Sequence, residues 1–133
     1  MTEVSGLLVR RSGCGVEETA TRFRAAAGRA GAAIFADIDH GRNAADVGMS
    51  LRPTRLLLFG NPRGGTPLMQ VGQTIGIDLP LKVLIWQDEA GNTWIGYNDP
   101  VFLANRHGLG EAARPSVEAI AADISKLIAA ATS

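Results

Sequence analysis

Apolar residues recur along this chain with two different periods. Val16, Ala20, Phe23, Ala27 and Ala30 fall at spacings of four and three, which places them on one face of a helix. Glu17 and Glu18 in its first turn suit the positive end of the helix dipole, and Gly31 marks its stop. A second stripe of the same kind, Val117, Ile120, Ala121, Ile124, Leu127, Ile128 and Ala131, lies near the end of the chain. The remaining apolar runs are short and strand-like: Leu7 to Val9, Ala32 to Ile38, Arg55 to Phe59, Leu79 to Trp86 and Thr93 to Tyr97. In the second of these Ile34, Ala36 and Ile38 point one way, Phe35 and Asp37 the other.

Turn and cap residues punctuate these runs. Asp39 reads as the N-cap of a short helix reaching about Val47, and Pro53 delays the next strand because it cannot donate to a central ladder. Gly60 to Gly65 reads as a loop, with Thr66-Pro67 opening a short helix through Leu68, Val71, Gly72 and Ile75. Asp88-Glu89-Ala90-Gly91 reads as a hairpin turn, and a three-residue connection from Glu89 to Gly91 sets Trp86 opposite Trp94. Asp99-Pro100 opens a further short helix that stops at Gly108, and Leu109 to Pro115 is a linker within one domain spanning 1–133.

The order strand, helix, four strands, helix predicts an α+β fold. It is a five-stranded, mainly antiparallel sheet with two long helices on one face and short helices in the connections. The hairpin strands are apolar on both sides: Val83, Ile85, Ile95 and Tyr97 on one, Leu84, Trp86 and Trp94 on the other. Helices cover only one of these, so a second copy of the chain is the expected cover of the other, and a homodimer follows.

Composition narrows the function classes. Thirteen basic residues balance thirteen acidic ones, which disfavours a nucleic-acid partner, whose counterions only a basic surplus displaces. The single cysteine, Cys14, excludes an internal disulfide. No apolar run approaches the ~20 residues of a membrane helix and no signal peptide is visible, so a cytoplasmic protein without a membrane partner is expected.

Several blocks resemble domain-of-unknown-function family 302: Ile38-Asp39-His40, Val47-Gly48, Leu51-Arg52-Pro53-Thr54, Phe59-Gly60-Asn61-Pro62, Gly65-Thr66-Pro67-Leu68-Met69, Asp78-Leu79-Pro80-Leu81-Lys82 and Tyr97-Asn98-Asp99-Pro100. The resemblance runs from about Val16 to Leu109 and more loosely through the last helix. It implies a TATA-binding-protein-like fold and a homodimer, and brings no established reaction, cofactor or catalytic residue.

Candidate chemistry gathers in the polar turns. Gly60 to Thr66 has the glycine spacing of a phosphate loop, but Thr66 stands where the lysine belongs and Pro67 where the metal-binding hydroxyl belongs, which disfavours a nucleotide-hydrolysing loop. What survives is a helix start with Arg63 nearby that suits one carboxylate or phosphate, set against the simpler reading of a tight strand-to-helix turn. Asp37, Asp39 and His40 form the densest polar cluster, and His107 offers a second imidazole. Either histidine, supported by Asp37 or Asp39, has the chemistry of a general acid or base, while capping accounts for the same residues without function. Asn98, Arg106 and His107 suit a small anion if they meet. No metal-ligand spacing is present, Cys14 reads as an incidental thiol, and Trp86, Trp94 and Tyr97 read as core or interface.

The expectation is therefore a module that binds or senses a small molecule, an anion among the candidates, through Asp39, His40, Asn61, Thr66, Asn98, Arg106 and His107. The alternatives are an enzyme built on His40 or His107 and a structural dimer acting through a protein partner. No cofactor is specified.

Overall fold

The architecture comes from a computed structural model that describes residues 3–133. Five strands, β1 (Leu7–Ser12), β2 (Ala33–Asp39), β3 (Thr54–Gly60), β4 (Leu81–Gln87) and β5 (Thr93–Asn98), form one sheet in the order β1-β5-β4-β3-β2. Every neighbouring pair is antiparallel. The helices are α1 (Val16–Arg29), α2 (His40–Asp46), α3 (Pro62–Val71), α4 (Pro100–Arg106) and α5 (Arg114–Thr132), with short 3-10 turns at Gln73–Asp78 and Glu111–Ala113.

The two long stripes behave as their periods require. α1 buries Val16, Thr19, Ala20, Phe23, Ala26 and Ala27, and α5 buries Val117, Ile120, Ile124, Leu127, Ile128 and Ala131. They pack beside each other on one face of the sheet, against Leu57, Phe59, Val83, Ile85 and Ile95. Phe23 meets Phe59 edge to face, with ring centroids 4.9 Å apart. One polar pair sits in this layer: the hydroxyls of Ser12 and Thr19, both buried, are 2.6 Å apart and satisfy each other.

Strand register fixes the other face. Trp86 lies directly opposite Trp94, and the main-chain bond from Asp88 N–H to the Asn92 carbonyl closes the three-residue turn that this pairing needs. Gly91, at φ +86°, takes the left-handed conformation in that turn. Leu56 faces Leu84, and Gly96 lies between Leu84 of β4 and Val9 of β1. A Cβ on Gly96 would approach the Trp86 ring to 3.1 Å, so the absent side chain is what lets that indole lie across β5. Leu56, Leu58, Leu84, Trp86 and Trp94, on the face opposite α1 and α5, are only partly buried.

Two local expectations are corrected. The loop from Gly60 to Gly65 is largely helix: α3 begins at Pro62, because Asn61 accepts from Arg63 N–H through its side chain and from Gly64 and Gly65 through its carbonyl. Thr66-Pro67 is inside that helix, not its cap. Three N–H groups captured at the start, and Leu68 anchored in the core, outweigh two glycines and an internal proline. The helix ends at Val71, and Ile75 belongs to the 3-10 turn that follows.

Leu57 is fully buried in the layer between sheet and helices. Leu57→Ala is expected to lower unfolding free energy by about 2–5 kcal/mol, read from urea midpoints at fixed protein concentration.

Candidate functional site

Strand direction decides which polar turns can share a site. β3 enters the sheet at Thr54, beside Asp39, and leaves it at Gly60, beside Ala33. Asp39 and His40 therefore lie at one end, and Asn61 with Asn98 at the other, roughly 20 Å away at ~3.3 Å per residue. Each turn residue has a local task. Asp39 caps α2 through Arg42 N–H at 2.9 Å, Asn61 caps α3 through Arg63 N–H at 3.0 Å, and Asp99 caps α4 through Val101 N–H at 2.9 Å. His40 is exposed at the first position of α2, and Asn98 ends β5 opposite Leu7.

The carboxylates expected to support a histidine are committed elsewhere. Asp37 is held by Arg55 and Arg24, and Arg55 also reaches Glu17 at 2.7 Å. This network ties β2 and β3 to α1. Among the described residues neither histidine pairs with Asp37 or Asp39.

His107 has a different partner. Its Nε2 lies 2.6 Å from Asp78 Oδ2, and its Nδ1 lies 2.9 Å from the Thr74 hydroxyl. An ionised carboxylate only accepts, so Nε2 carries hydrogen, and in the neutral ring Nδ1 accepts from Thr74. Arg106 Nη1 reaches both oxygens of Asp78, at 2.9 and 2.8 Å. The imidazole is nearly enclosed, 9% exposed, and Asp78 is 15% exposed. Burial pushes Asp78 upward, but the hydrogen bond from His107 and the charge and hydrogen bond of Arg106 outweigh it and hold the carboxyl below its usual range. Arg106 and His107 thus meet on Asp78 and not on Asn98. Asp78 lies inside a block quoted for the resemblance; no spacing in the sequence links position 78 to position 107.

A concave, mainly apolar cavity of about 480 Å³ lies at the Asn61 end of the sheet. Its walls come from the β2 start (Ala32, Phe35), the β3 end (Phe59, Gly60), α3 (Gly64, Gly65, Thr66, Met69), the stretch Gly76 to Leu81, and α5 (Ile120, Ile124, Leu127). A shift of register between Ile34 and Ala36 makes room for one extra residue, Phe35, which is 52% exposed and lines the cavity. Polar groups are few: Asn61, Thr66, Asp123 and Lys126. The start of α3 offers no anion cradle, because its first N–H groups are already bonded to Asn61 and Pro62 has none. Among the described residues no three His, Cys, Asp or Glu side chains are placed to hold a metal.

Of the expected site residues, Asn61 and Thr66 line this cavity, Arg106 and His107 form the Asp78 cluster, and Asp39, His40 and Asn98 belong to neither. The apolar walls escaped a search for polar chemistry, since Phe35, Met69, Leu79 and Ile124 read equally well as core.

Asp78→Asn removes the charge that Arg106 and His107 share. It is expected to cost about 1–3 kcal/mol near neutral pH. Because the folded-state pKa of Asp78 lies below the unfolded value, its contribution is complete above about pH 4 and is lost as pH falls through the folded pKa. Urea titrations from pH 7 to pH 3 are therefore expected to show the gap between wild type and variant closing at the acid end.

Known proteins supply a frame for this geometry. A structure described as an uncharacterized conserved DUF302 protein from Bacillus stearothermophilus superposes with a TM-score of 0.76 over 97% of both chains at 23% identity, which is a likeness of fold. Two curated relatives, each named fluoride-specific ion channel FluC 1, come from Brucella suis and Brucella abortus. Each is 44% identical over 116 residues, 87% of this chain, but the match spans only 46% and 43% of their respective lengths. Among the described residues no helix is long and apolar enough to cross a membrane. The profile of the family called Domain of unknown function DUF302 matches residues 9–131, and the chain belongs to that family.

Proposed function

We propose that this chain is a homodimeric binding module whose ligand is a small, mainly apolar molecule held in the cavity between α3, α5 and the Asn61 end of the sheet. The observation that carries this reading is the cavity itself. Its volume of about 480 Å³ lies in the range of small-molecule sites, and its lining is apolar with a few polar groups at the edge. Asn61 keeps a free amide NH₂ when its oxygen caps α3, Thr66 offers a hydroxyl, and Lys126 is the one cation in the lining. A ligand with an apolar body and one hydrogen-bond-accepting or anionic end matches that set. The acid–base alternative gains a carboxylate, Asp78, for His107, but neither residue is in the cavity lining.

The dimer reading rests on the sheet face opposite α1 and α5. Leu56, Leu84, Trp86 and Trp94 form a contiguous apolar surface, and burying two indoles against a twofold mate is the simplest way to remove them from water. The Brucella relatives add a context. Their names describe fluoride channels, and a module without a membrane-crossing helix fits there as the accessory or sensing part of a longer chain.

Ile124, 2% exposed on α5, lines the cavity, and Ile124→Trp is expected to fill it. Wild type should bind the neutral fluorophore N-phenyl-1-naphthylamine and the variant should not, by fluorescence titration of samples with matching circular dichroism. Wild type without binding, or equal binding by both, would sink the cavity reading. Leu84→Glu on the uncovered face is expected to convert a dimer to a monomer in sedimentation equilibrium; a wild type already monomeric at high micromolar concentration removes the dimer.

A further inference from the structure

The stretch from Gln73 to Leu81 has two sides with different jobs. One side gives Gly76, Leu79, Pro80 and Leu81 to the cavity. The other gives Thr74 and Asp78 to the end of α4, where His107 bonds both with its two ring nitrogens. A single imidazole thus braces the beginning and the end of the 3-10 turn Gln73–Asp78, and Arg106 doubles the hold on Asp78.

The stretch's other attachments are limited. Ile75, 1% exposed, is its one deeply buried side chain, whereas Ile77 is 74% exposed. Its main-chain bonds are short-range turns, Ile75 N–H to the Gly72 carbonyl and Leu79 N–H to the Gly76 carbonyl, each 3.2 Å. Lys82 Nζ adds a bond to the Asp78 carbonyl at 3.3 Å. The strand ladder takes over only from Leu81, which faces Phe59. Between Gly72 and Leu81, therefore, the wall is held by Ile75, by Leu79 packed partly buried against the core, and by the charged cluster behind it. Segments with few buried contacts and many exposed backbone bonds open locally at low cost.

We propose that Gln73–Leu81 is a movable wall of the cavity and that the Asp78–His107–Arg106 cluster is its latch, setting how fast a ligand enters and leaves. This rests on the reading of the cavity as the binding site. The latch residues are positioning residues: they touch the wall and not the ligand. A merely stabilising role would change global unfolding and leave ligand exchange alone. A latch changes exchange rates in both directions, since opening precedes entry as well as exit.

The test uses the whole chain, N-phenyl-1-naphthylamine as probe, and stopped-flow fluorescence. Asp78→Asn and His107→Gln are expected to raise association and dissociation rates together by about tenfold, the loss of one charged hydrogen bond, with a smaller change in Kd. Thr74→Val, on an exposed position, removes only one bond and should give a smaller increase in the same direction. If wild-type binding is abolished by Ile124→Trp and yet all three latch variants exchange within about twofold of wild type, the cavity stands and the latch is overturned. If wild type does not bind, the failure is that of the cavity. Should the latch variants not fold, hydrogen exchange on wild type decides. The amides of Ile75 and Leu79 are expected to exchange by local opening, faster than those of β4, and to slow when probe is bound. Exchange as slow as that of β4, or unchanged by probe, overturns the proposal.

Discussion

The two-residue period of β3 and β4 constrains nearly everything else in this molecule. Both strands are apolar on both faces, so each successive side chain demands a cover on opposite sides of the sheet. Leu57, Val83, Ile85 and Ile95 find theirs in α1 and α5, whose stripes are wide enough for that layer and no other. Leu56, Leu58, Leu84, Trp86 and Trp94 lie on the reverse and stay partly exposed. Once both long helices occupy one side, the remaining helices are left to the ends and margins of the sheet. α3 packs against α5 beside the end of β3, and the cavity is the space that those two helices and the bulged start of β2 fail to fill.

Charged residues do a second kind of work, tying the connections to this frame. Asp37 gathers Arg24 and Arg55, joining β2 and β3 to α1. Asp78 gathers Arg106 and His107, joining the 3-10 turn to α4. In each case one acid with two cationic or hydrogen-bonding partners is mostly shielded from water, where such contacts are worth more than exposed pairs like Arg114 with Glu118. The difference lies in what is tied. β2 and β3 have a full ladder of their own, so the Asp37 network reinforces something already fixed. The Gln73–Asp78 turn has no ladder, and the cluster joins the buried Ile75 in fastening it.

Much of the fold was legible because periodicity encodes burial directly. The stripes of α1 and α5, the Trp86–Trp94 register and the capping roles of Asp39 and Asp99 all depend on residues close together in sequence. α3 was misplaced because its start is set by one side chain, Asn61, working against two glycines and a proline, whose propensities point the other way. The site was legible only in part. Asn61 and Thr66 were singled out for a phosphate-like pattern, and they line a cavity whose walls are apolar instead. Asp78 and His107 are joined only by the folded chain, 29 positions apart, with no local pattern to announce them. Asp39 and His40 looked like partners for Asn61 and Asn98 because all sit in polar turns, yet antiparallel pairing sends alternate turns to opposite ends of the sheet.

That separation gives the two ends of the sheet different surfaces. The end holding Asp39 and His40 carries an exposed apolar tip, Val47, Met49 and Leu51, beside a shallow depression lined by Gly41, Ala45 and Arg52. The other end carries the cavity, and the uncovered sheet face lies between the two. A partner docked on that face would contact β3, β4 and β5, three strands that also form the floor under α1 and α5. Leu58 and Phe59 show how close the coupling is, being adjacent residues of β3 that face opposite ways, Leu58 onto the open face and Phe59 into the cavity wall. Any shift of β3 that repacks one must move the other. Adjacent residues of a single strand thus serve both the open face and the cavity wall.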